Sequence, residues 1–266
     1  MGAKLGLPNT SIAVAAHKPY WMPSDPMYVP VQAGALGRNR IDGYRSDAEG
    51  DGGISALNPH LSELTVLWWA WKHLAKCADA NDAVGLVHYR RHFAGSGEKG
   101  TLTSAEAADL LSRAPILLPK QRNYVIETLG SHYDHTFGTA QLDLLIAAVA
   151  ETHPESSPVL YRRLSSTRGH MFNMFIMRAD LLCAYCEWAF PVVLAIEERF
   201  DYEGMSAFDA RSPGRLSEFL VDAWLASRDL PYLECPVRDM EPINWAKKGS
   251  AFLAAKFMGR KYVSSF

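Results

Sequence analysis

The sequence predicts an α/β domain in which a parallel or mixed central sheet is flanked by helices. Three observations carry this expectation. Short apolar runs alternate along the chain with segments whose apolar residues recur every three or four positions. The runs lack the polar alternation of a half-exposed sheet, as strands covered on both faces do. Two of them stop abruptly in polar clusters, as strands do where a sheet of this class meets its ligand.

In chain order, Ser11-Ile12-Ala13-Val14-Ala15-Ala16 is the first strand, and it ends in His17-Lys18-Pro19-Tyr20. A polar stretch rich in Gly, Asp and Arg follows from Gly34 to Asn58. Asn58-Pro59 then opens a helix, because Asn is a good N-cap and Pro is favoured at the first helical position. Leu61, Leu64, Leu67, Trp68, Trp71 and Leu74 give that helix one apolar face. Residues 83–87 form a second strand that runs into His88-Tyr89-Arg90-Arg91-His92-Phe93. Thr103 and Glu106 make a capping box for a helix reaching about Arg113. Residues 115–119 are a short strand bracketed by prolines, 141–150 a helix, and 171–177 a strand. Residues 178–200 are helical with Pro191 as an expected kink. A helix over 214–228 and a strand over 231–237 complete the series. No repeat, low-complexity tract or linker divides the chain, so one domain over 1–266 is expected, with 237–266 as its C-terminal extension.

With 48% apolar and 21% charged residues over 266 positions, the chain can bury a full core, which excludes a disordered or coiled-coil protein. Lys+Arg 27 against Asp+Glu 29 give a net charge of -2, which excludes a body that is wholly a basic nucleic-acid grip. No apolar run approaches the ~18–20 residues of a bilayer span, and no secretory signal core opens the sequence. Four cysteines, at 77, 183, 186 and 235, are too few for a disulfide framework. Together these predict a soluble cytoplasmic protein.

The two polar strand ends bring Lys18, Arg90 and Arg91 together with His17 and His88. Arginine forks match phosphate oxygens and Lys adds a point charge, so one reading is a site for an anion such as a diphosphate. The other is that Arg90 and Arg91 are surface charges paired with Asp or Glu. Asp47-x-Glu49-x-Asp51-Gly52 mimics the start of a calcium loop, but Asn58 stands where the bidentate Glu belongs, so a polar loop over a site is expected instead. Cys183-x-x-Cys186 lies in an apolar helix with no second pair and reads as structural. Walker, Gly-x-Gly-x-x-Gly, Gly-x-Ser-x-Gly, His-Glu-x-x-His and Asp-x-Asp motifs are absent. Among Trp68, Trp69 and Trp71 at least one faces the core, and another is a candidate sugar-stacking ring. Asn173, set in an apolar strand, either ties down a neighbouring loop or binds ligand. Glu218 either carries chemistry or answers a helix dipole as an ordinary first-turn acid.

Several blocks carry a resemblance. They are Val14-Ala15-Ala16-His17-Lys18-Pro19-Tyr20-x-x-Pro23, Ile54-Ser55-x-x-Asn58-Pro59-x-x-Ser62-Glu63-Leu64-Thr65 with Trp69-Ala70-Trp71-Lys72, and Gly85-Leu86-x-His88-Tyr89-Arg90-Arg91-x-Phe93. Asn173-Met174-Phe175-Ile176-Met177, Tyr185-Cys186-x-Trp188 and Glu241-Pro242-x-Asn244-Trp245 follow in order. Together they resemble a bacterial family labelled a domain of unknown function and found in capsule and polysaccharide gene clusters. The resemblance implies a glycosyltransferase with a GT-A-like (Rossmann-like) fold. It implies a uridine diphosphate (UDP) sugar donor, galactofuranose in some relatives, and a glycan or lipid-linked acceptor. Residues 132–144 depart from the pattern: where relatives carry a His-rich stretch before Asp-Leu, only Asp143-Leu144 clearly remains.

On that footing His17, Lys18, Tyr20, His88, Arg90 and Arg91 are expected at the nucleotide and diphosphate, and Asn58, Glu63 and Asn173 at the sugar. Glu218 is the first candidate base and Asp143 the second, one carboxylate sufficing for an inverting displacement. Cations standing where a metal would sit suit a metal-free clamp. Mn²⁺ or Mg²⁺ held by His88 with Asp47, Glu49 or Asp51 stays open. A non-catalytic anion- or nucleotide-binding protein and a sugar-phosphate transferase are the alternatives. From Pro242 to Phe266 the chain carries Lys247, Lys248, Lys256, Arg260 and Lys261 among aromatic residues and no Asp or Glu. This tail either makes peripheral contact with the inner face of a membrane or packs on the domain with its lysines solvated.

Overall fold

Strand β1 (Thr10–Ala16) is the opening apolar run, buried from Ile12 to Ala16, and it lies inside the main sheet. The computed structural model describes residues 9–241, so the basic and aromatic tail expected to touch a membrane lies outside the described residues. After β1 come β2 (Tyr28–Gln32), β3 (Arg45–Ser46), α1 (Asn58–Leu61), α2 (Leu64–His73), β4 (Ala83–His88) and β5 (Arg91–Phe93). The capping box at Thr103 and Glu106 forms as expected and opens α3 (Ser104–Arg113). Then follow β6 (Ile116–Pro119), β7 (Arg122–Asn123), α4 (Leu129–Phe137), α5 (Thr139–Thr152), α6 (Ser157–Leu164), β8 (Arg168–Gly169) and β9 (Phe175–Arg178). The chain continues through α7 (Ala179–Arg199), α8 (Ser212–Leu216), α9 (Leu220–Arg228), β10 (Leu233–Cys235) and β11 (Val237–Asp239).

The main path of the sheet runs β10-β6-β9-β4-β1-β2-β3, parallel throughout except for β9, which is antiparallel to both β4 and β6. Alternate residues of the strands enter two cores. Ala13, Ala15, Val84, Leu86 and Phe175 face the larger, which includes buried residues of α2, α5 and α7. Ile12, Val14, Val87, Leu117 and Ile176 face the smaller, with Ala107 of α3. Burial on both faces is why these strands read as unbroken apolar runs. Gly85 is required where β9 crosses close to β4, since a Cβ there would stand 2.8 Å from the Phe175 carbonyl oxygen. The mixed α/β class with a sheet between helices is as the sequence predicts. Val237–Asp239, the start of the expected extension, pairs with β5 and so belongs to the same sheet.

Three expected elements are interrupted. The single helix from Asn58 is two, because Ser62 takes a left-handed φ of 52° (ψ −126°) and Glu63 follows it before α2 begins. Asn58 is therefore not an N-cap; its side-chain amide spans the break, donating to the Ser62 carbonyl at 2.8 Å and to Thr65 Oγ1 at 3.2 Å. The strand expected over 171–177 starts only at Phe175, after Phe172 (φ 90°) and Asn173 (φ 47°) turn the chain through the left-handed region. The helix expected over 214–228 is split by a 3₁₀ turn, Ser217–Phe219, between α8 and α9. β2, β3, β5, β7, β8, α4, α6 and β11 go unmarked by the sequence pattern.

The calcium-loop mimic resolves as a staple. Asp47 is buried and accepts from the backbone N–H of Gly34 and Ala35 and from the hydroxyls of Ser55 and Thr65. Trp69 and Trp71 are buried, and Trp68 packs edge-on against Trp71 and Phe190, so the tryptophans serve the core rather than a sugar. Cys183 and Cys186 are free thiols on α7, Cys186 buried. Pro191 lies within α7 without ending it. By length and composition α7 is apolar enough to cross a membrane, contrary to the reading of the apolar runs alone; here Tyr185, Trp188 and Phe190 are buried in the core.

Candidate active site

The chain moves from β1 to β2 on one side and later returns to place β4 on the other. This makes a switch point between β1 and β4, where open α/β sheets bind ligands beyond the carboxyl ends of the strands. Two adjoining hollows open there. The inner one is about 260 Å³ and the outer about 400 Å³, and Ser62, Glu63, His88, Arg90 and Arg211 line both.

The His-Tyr-Arg-Arg block is a tight hairpin. His88, the last residue of β4, pairs with Arg91, the first of β5, leaving Tyr89 and Arg90 as the turn. His92 points away and is fully buried, which holds its imidazole near pKa 4. Arg91 is 7% exposed, its Nε donates to Asp239 Oδ1 at 3.1 Å, and its guanidinium stacks on the Phe172 ring at 4.3 Å. Arg122 stacks on the same ring at 4.4 Å. The ion-pair alternative thus holds for Arg91. Among the described residues no ion pair engages Arg38, Arg90, Arg211 or Arg215, all of which line the hollows.

At the rim of the outer hollow, Tyr20 and Tyr89 stack at 3.7 Å, and His17 meets both rings edge-on. The residue as a whole is exposed, yet burial of this packed ring lowers the His17 pKa. The cations Lys18, Arg211, Arg38 and Arg90 lower it further, each opposing a further positive charge. His88 is likewise held below its ordinary value, first by burial and then by Arg91 and Arg90 against Glu63, so it is neutral at pH 7. Its buried Nε2 has no hydrogen-bond partner among the described residues.

The three interruptions of the fold meet here. Glu63, from the break between α1 and α2, accepts from Asn173 Nδ2 at 2.8 Å. The same amide donates to the Gly214 carbonyl at 3.2 Å, and the Ser217 hydroxyl donates to Asn173 Oδ1 at 3.2 Å. Asn173 therefore ties Glu63 to the turn that carries Glu218. Glu218 lines the inner hollow, and its carboxyl is pushed up to about 7. Burial is the larger cause and the negative charge of Glu63 the second, against a backbone hydrogen bond from Phe172 and the cations Arg122 and Arg91.

The structure brings His17, Asn58, Glu63, His88, Arg90, Arg91 and Glu218 to the hollows. It sets Lys18 and Tyr20 at the rim, with Lys18 Nζ 5.1 Å from the Tyr20 ring centre, and Asn173 behind Glu63. Asp143 is exposed on α5 and lines neither hollow. Sequence reasoning missed Arg38, Arg122, Arg211 and Arg215. The one signal available was the four-residue spacing of Arg211 and Arg215, which puts both on one side of a helical turn.

Of the residues expected to hold a divalent metal, His88 lines the hollows without the others. Among the described residues no group of three His, Cys, Asp or Glu is placed to hold one. Asp47 is occupied by its own loop, Glu49 pairs with Arg40 and Arg45, and neither these nor Asp51 lines a hollow.

Superposition on WbbM, a bifunctional glycosyltransferase in its apo form, gives a TM-score of 0.76 at 23% identity. The match covers 88% of this chain and 46% of that one, so this chain spans about half the length of WbbM. The likeness establishes the fold, which is GT-A-like. No curated protein matches the chain. A family profile described as Domain of unknown function (DUF4422) matches residues 11–229, a span running from β1 through the β4–β5 hairpin and Asn173 to the turn with Glu218. More than half of the chain lies within that match, and the chain belongs to the DUF4422 family.

Proposed function

We propose that the protein is a glycosyltransferase that moves a sugar from a UDP-sugar to a hydroxyl of a glycan or lipid-linked acceptor in surface polysaccharide synthesis, by inversion and without a metal. The observation that carries this reading is a cleft at the sheet's switch point that combines unpaired arginines with a carboxyl poised near pH 7. WbbM, described as a bifunctional glycosyltransferase, supports the same reaction class.

In this reading Arg90 and Arg211, on the wall shared by the hollows, hold the diphosphate, with Arg38 and His17 toward the nucleotide. Arginine forks accept the negative charge that grows on the departing phosphate oxygen, the task a metal performs elsewhere. Neutral His88 adds no competing charge and offers Nε2 as a hydrogen-bond group. The acceptor oxygen attacks the anomeric carbon, and the bond from that carbon to the β-phosphate oxygen breaks. The bonding pair leaves with UDP, and Glu218 takes the acceptor's proton. A base whose pKa lies near the working pH is well matched to that step. Asn58 and Glu63 border the sugar. Galactofuranose is the donor sugar to try first.

The test is incubation of the full chain with a panel of nucleotide sugars and acceptor glycans, in the presence and absence of a chelator, with products read by mass spectrometry. The reading expects a glycoside of inverted anomeric configuration whose yield is indifferent to the chelator. Nucleotide binding without product would leave the protein a nucleotide-binding module instead.

A further inference from the structure

Beside the inner hollow, the segment joining β7 to α4 presents an apolar tip that the reaction does not use. Val125 is 73% exposed and Ile126 59% exposed. The Ile126 N–H donates to the Tyr124 carbonyl at 2.6 Å, closing a three-residue turn around Val125, whose φ is 57°. A β-branched residue in the left-handed region is an outlier, and the γ-turn with positive φ is a rare, strained form. Strain of this kind persists where the surrounding structure enforces it, and it clusters at functional sites.

The base of the tip is firmly held. β7 pairs with β8, the Tyr124 N–H donates to the Thr167 carbonyl at 2.9 Å, and the Leu129 N–H donates to the Ser166 carbonyl at 2.8 Å. Val125 and Ile126 are thus exposed above a hydrogen-bonded base.

The surroundings are cationic. Arg168, exposed on β8, stands opposite Asn123 at the root of the tip, and exposed Lys120 precedes β7. α6 ends directly behind α4, the Leu164 carbonyl lying against Gly130, and its last turns carry Arg162, Arg163 and Tyr161, the last 52% exposed. No ion pair among the described residues neutralises Lys120, Arg162, Arg163 or Arg168. The nearby acids are engaged elsewhere: Glu127 is buried against His132 and His135, and Glu234 meets His170. Glu155 is exposed, but at the opposite end of α6.

We propose that the β7–α4 tip and the cationic face of α6 and β8 form a docking surface for an anionic lipid bilayer. Val125 and Ile126 enter the headgroup boundary and the four cations meet the lipid phosphates. Interfacial anchors combine these two elements, an apolar wedge and a basic rim. Val125 and Ile126 line neither the inner nor the outer hollow, so the tip stands apart from the cleft itself. Arg122 and Tyr124, from the same segment, line the inner hollow, so a docked bilayer lies beside the cleft. The surface is argued on its own chemistry and does not depend on the proposed reaction.

The test is co-sedimentation of the full chain with phosphatidylcholine–phosphatidylglycerol vesicles and with phosphatidylcholine vesicles. The proposal expects binding to the first and not the second. It further expects a loss of about tenfold or more in partition for Val125→Ser with Ile126→Ser, and for Arg162→Glu with Arg163→Glu and Arg168→Glu. Val125→Leu should bind as the parent does, and each variant's thermal midpoint reports that it is folded. Neutralising the tail in the full chain (Lys247, Lys248, Lys256, Arg260 and Lys261 to Gln) should leave the dependence on the tip intact. Absent binding to anionic vesicles, equal binding to neutral ones, or binding that only the tail variant abolishes would overturn the proposal. Vesicle binding without sugar transfer would sink the proposed reaction and keep the surface.

Discussion

Burial and the neighbouring charge of Glu63 lift the Glu218 carboxyl from 4.5 to about 7, and this ties stability and activity to one group. Between those two values the folded protein holds a proton that the unfolded chain has already lost. Stability therefore falls as pH rises through the window, with no penalty below it and the full penalty above. The displacement corresponds to about 3 kcal/mol at 1.36 kcal/mol per tenfold change in proton affinity; water reaching the open side of the hollow screens part of it, leaving about 1–3 kcal/mol. Glu218→Gln keeps the shape and never ionises. It should match the parent's stability near pH 4 and exceed it by about 1–3 kcal/mol near pH 8, as urea midpoints at a series of pH values would read. The same variant cannot accept a proton and should lose about 10²–10⁴ in transfer rate, about 3–5 kcal/mol of barrier. A variant that gains no stability at high pH, or keeps more than about a tenth of the rate, would refute the reasoning for Glu218 as a buried general base.

Other perturbations follow from the same contacts. Glu63→Gln removes the like charge beside Glu218, so the rising limb of the pH–rate profile should move to lower pH; an unmoved limb would mean that the two carboxylates do not interact. Asn173→Ala breaks the hydrogen bonds to Glu63, Gly214 and Ser217 and should cost about 2–3 kcal/mol of stability, with Glu63 freed and KM raised. Gly34→Ala places a methyl against Asn58 Oδ1 at a φ of +62°, displacing the amide that spans the α1–α2 break. A loss of about 1–3 kcal/mol in denaturant unfolding is expected there, and an unchanged midpoint would contradict it.

The sheet was legible because both of its faces are buried: β1, β4 and β6 read as apolar runs, and the Thr103–Glu106 box marked α3 from two residues. The His-Tyr-Arg-Arg block was legible as a polar cluster at a strand end, though not as a two-residue hairpin. The errors fall where regular structure gives way to the site. Periodicity carried the helix from Asn58 straight through Ser62, the strand through Asn173 and the last long helix through Glu218, and those are the residues that leave regular geometry. Local propensity has no term for a hydrogen bond from Asn173 to Glu63, 110 positions away. Arg38 and Arg122 were invisible for a related reason: an arginine is ordinary until the fold shows that no ion pair among the described residues engages it. β11 was missed because it exists as the partner strand of β5, whereas α4 opens on a local capping box of Thr128 and Ser131 that apolar periodicity alone does not mark.

The central claim is that the cleft between the β1 and β4 strand ends grips a nucleoside diphosphate through its arginines. Calorimetric titration of the full chain with UDP, repeated with Arg90→Ala and Arg211→Ala, tests it most directly. A charge-assisted contact to phosphate is worth about 1.5–3 kcal/mol, so Arg90→Ala should weaken binding about 10- to 150-fold with its thermal midpoint preserved, and Arg211→Ala should weaken it in the same direction. UDP that does not bind the parent chain, or that binds both variants as tightly as the parent, would contradict the account.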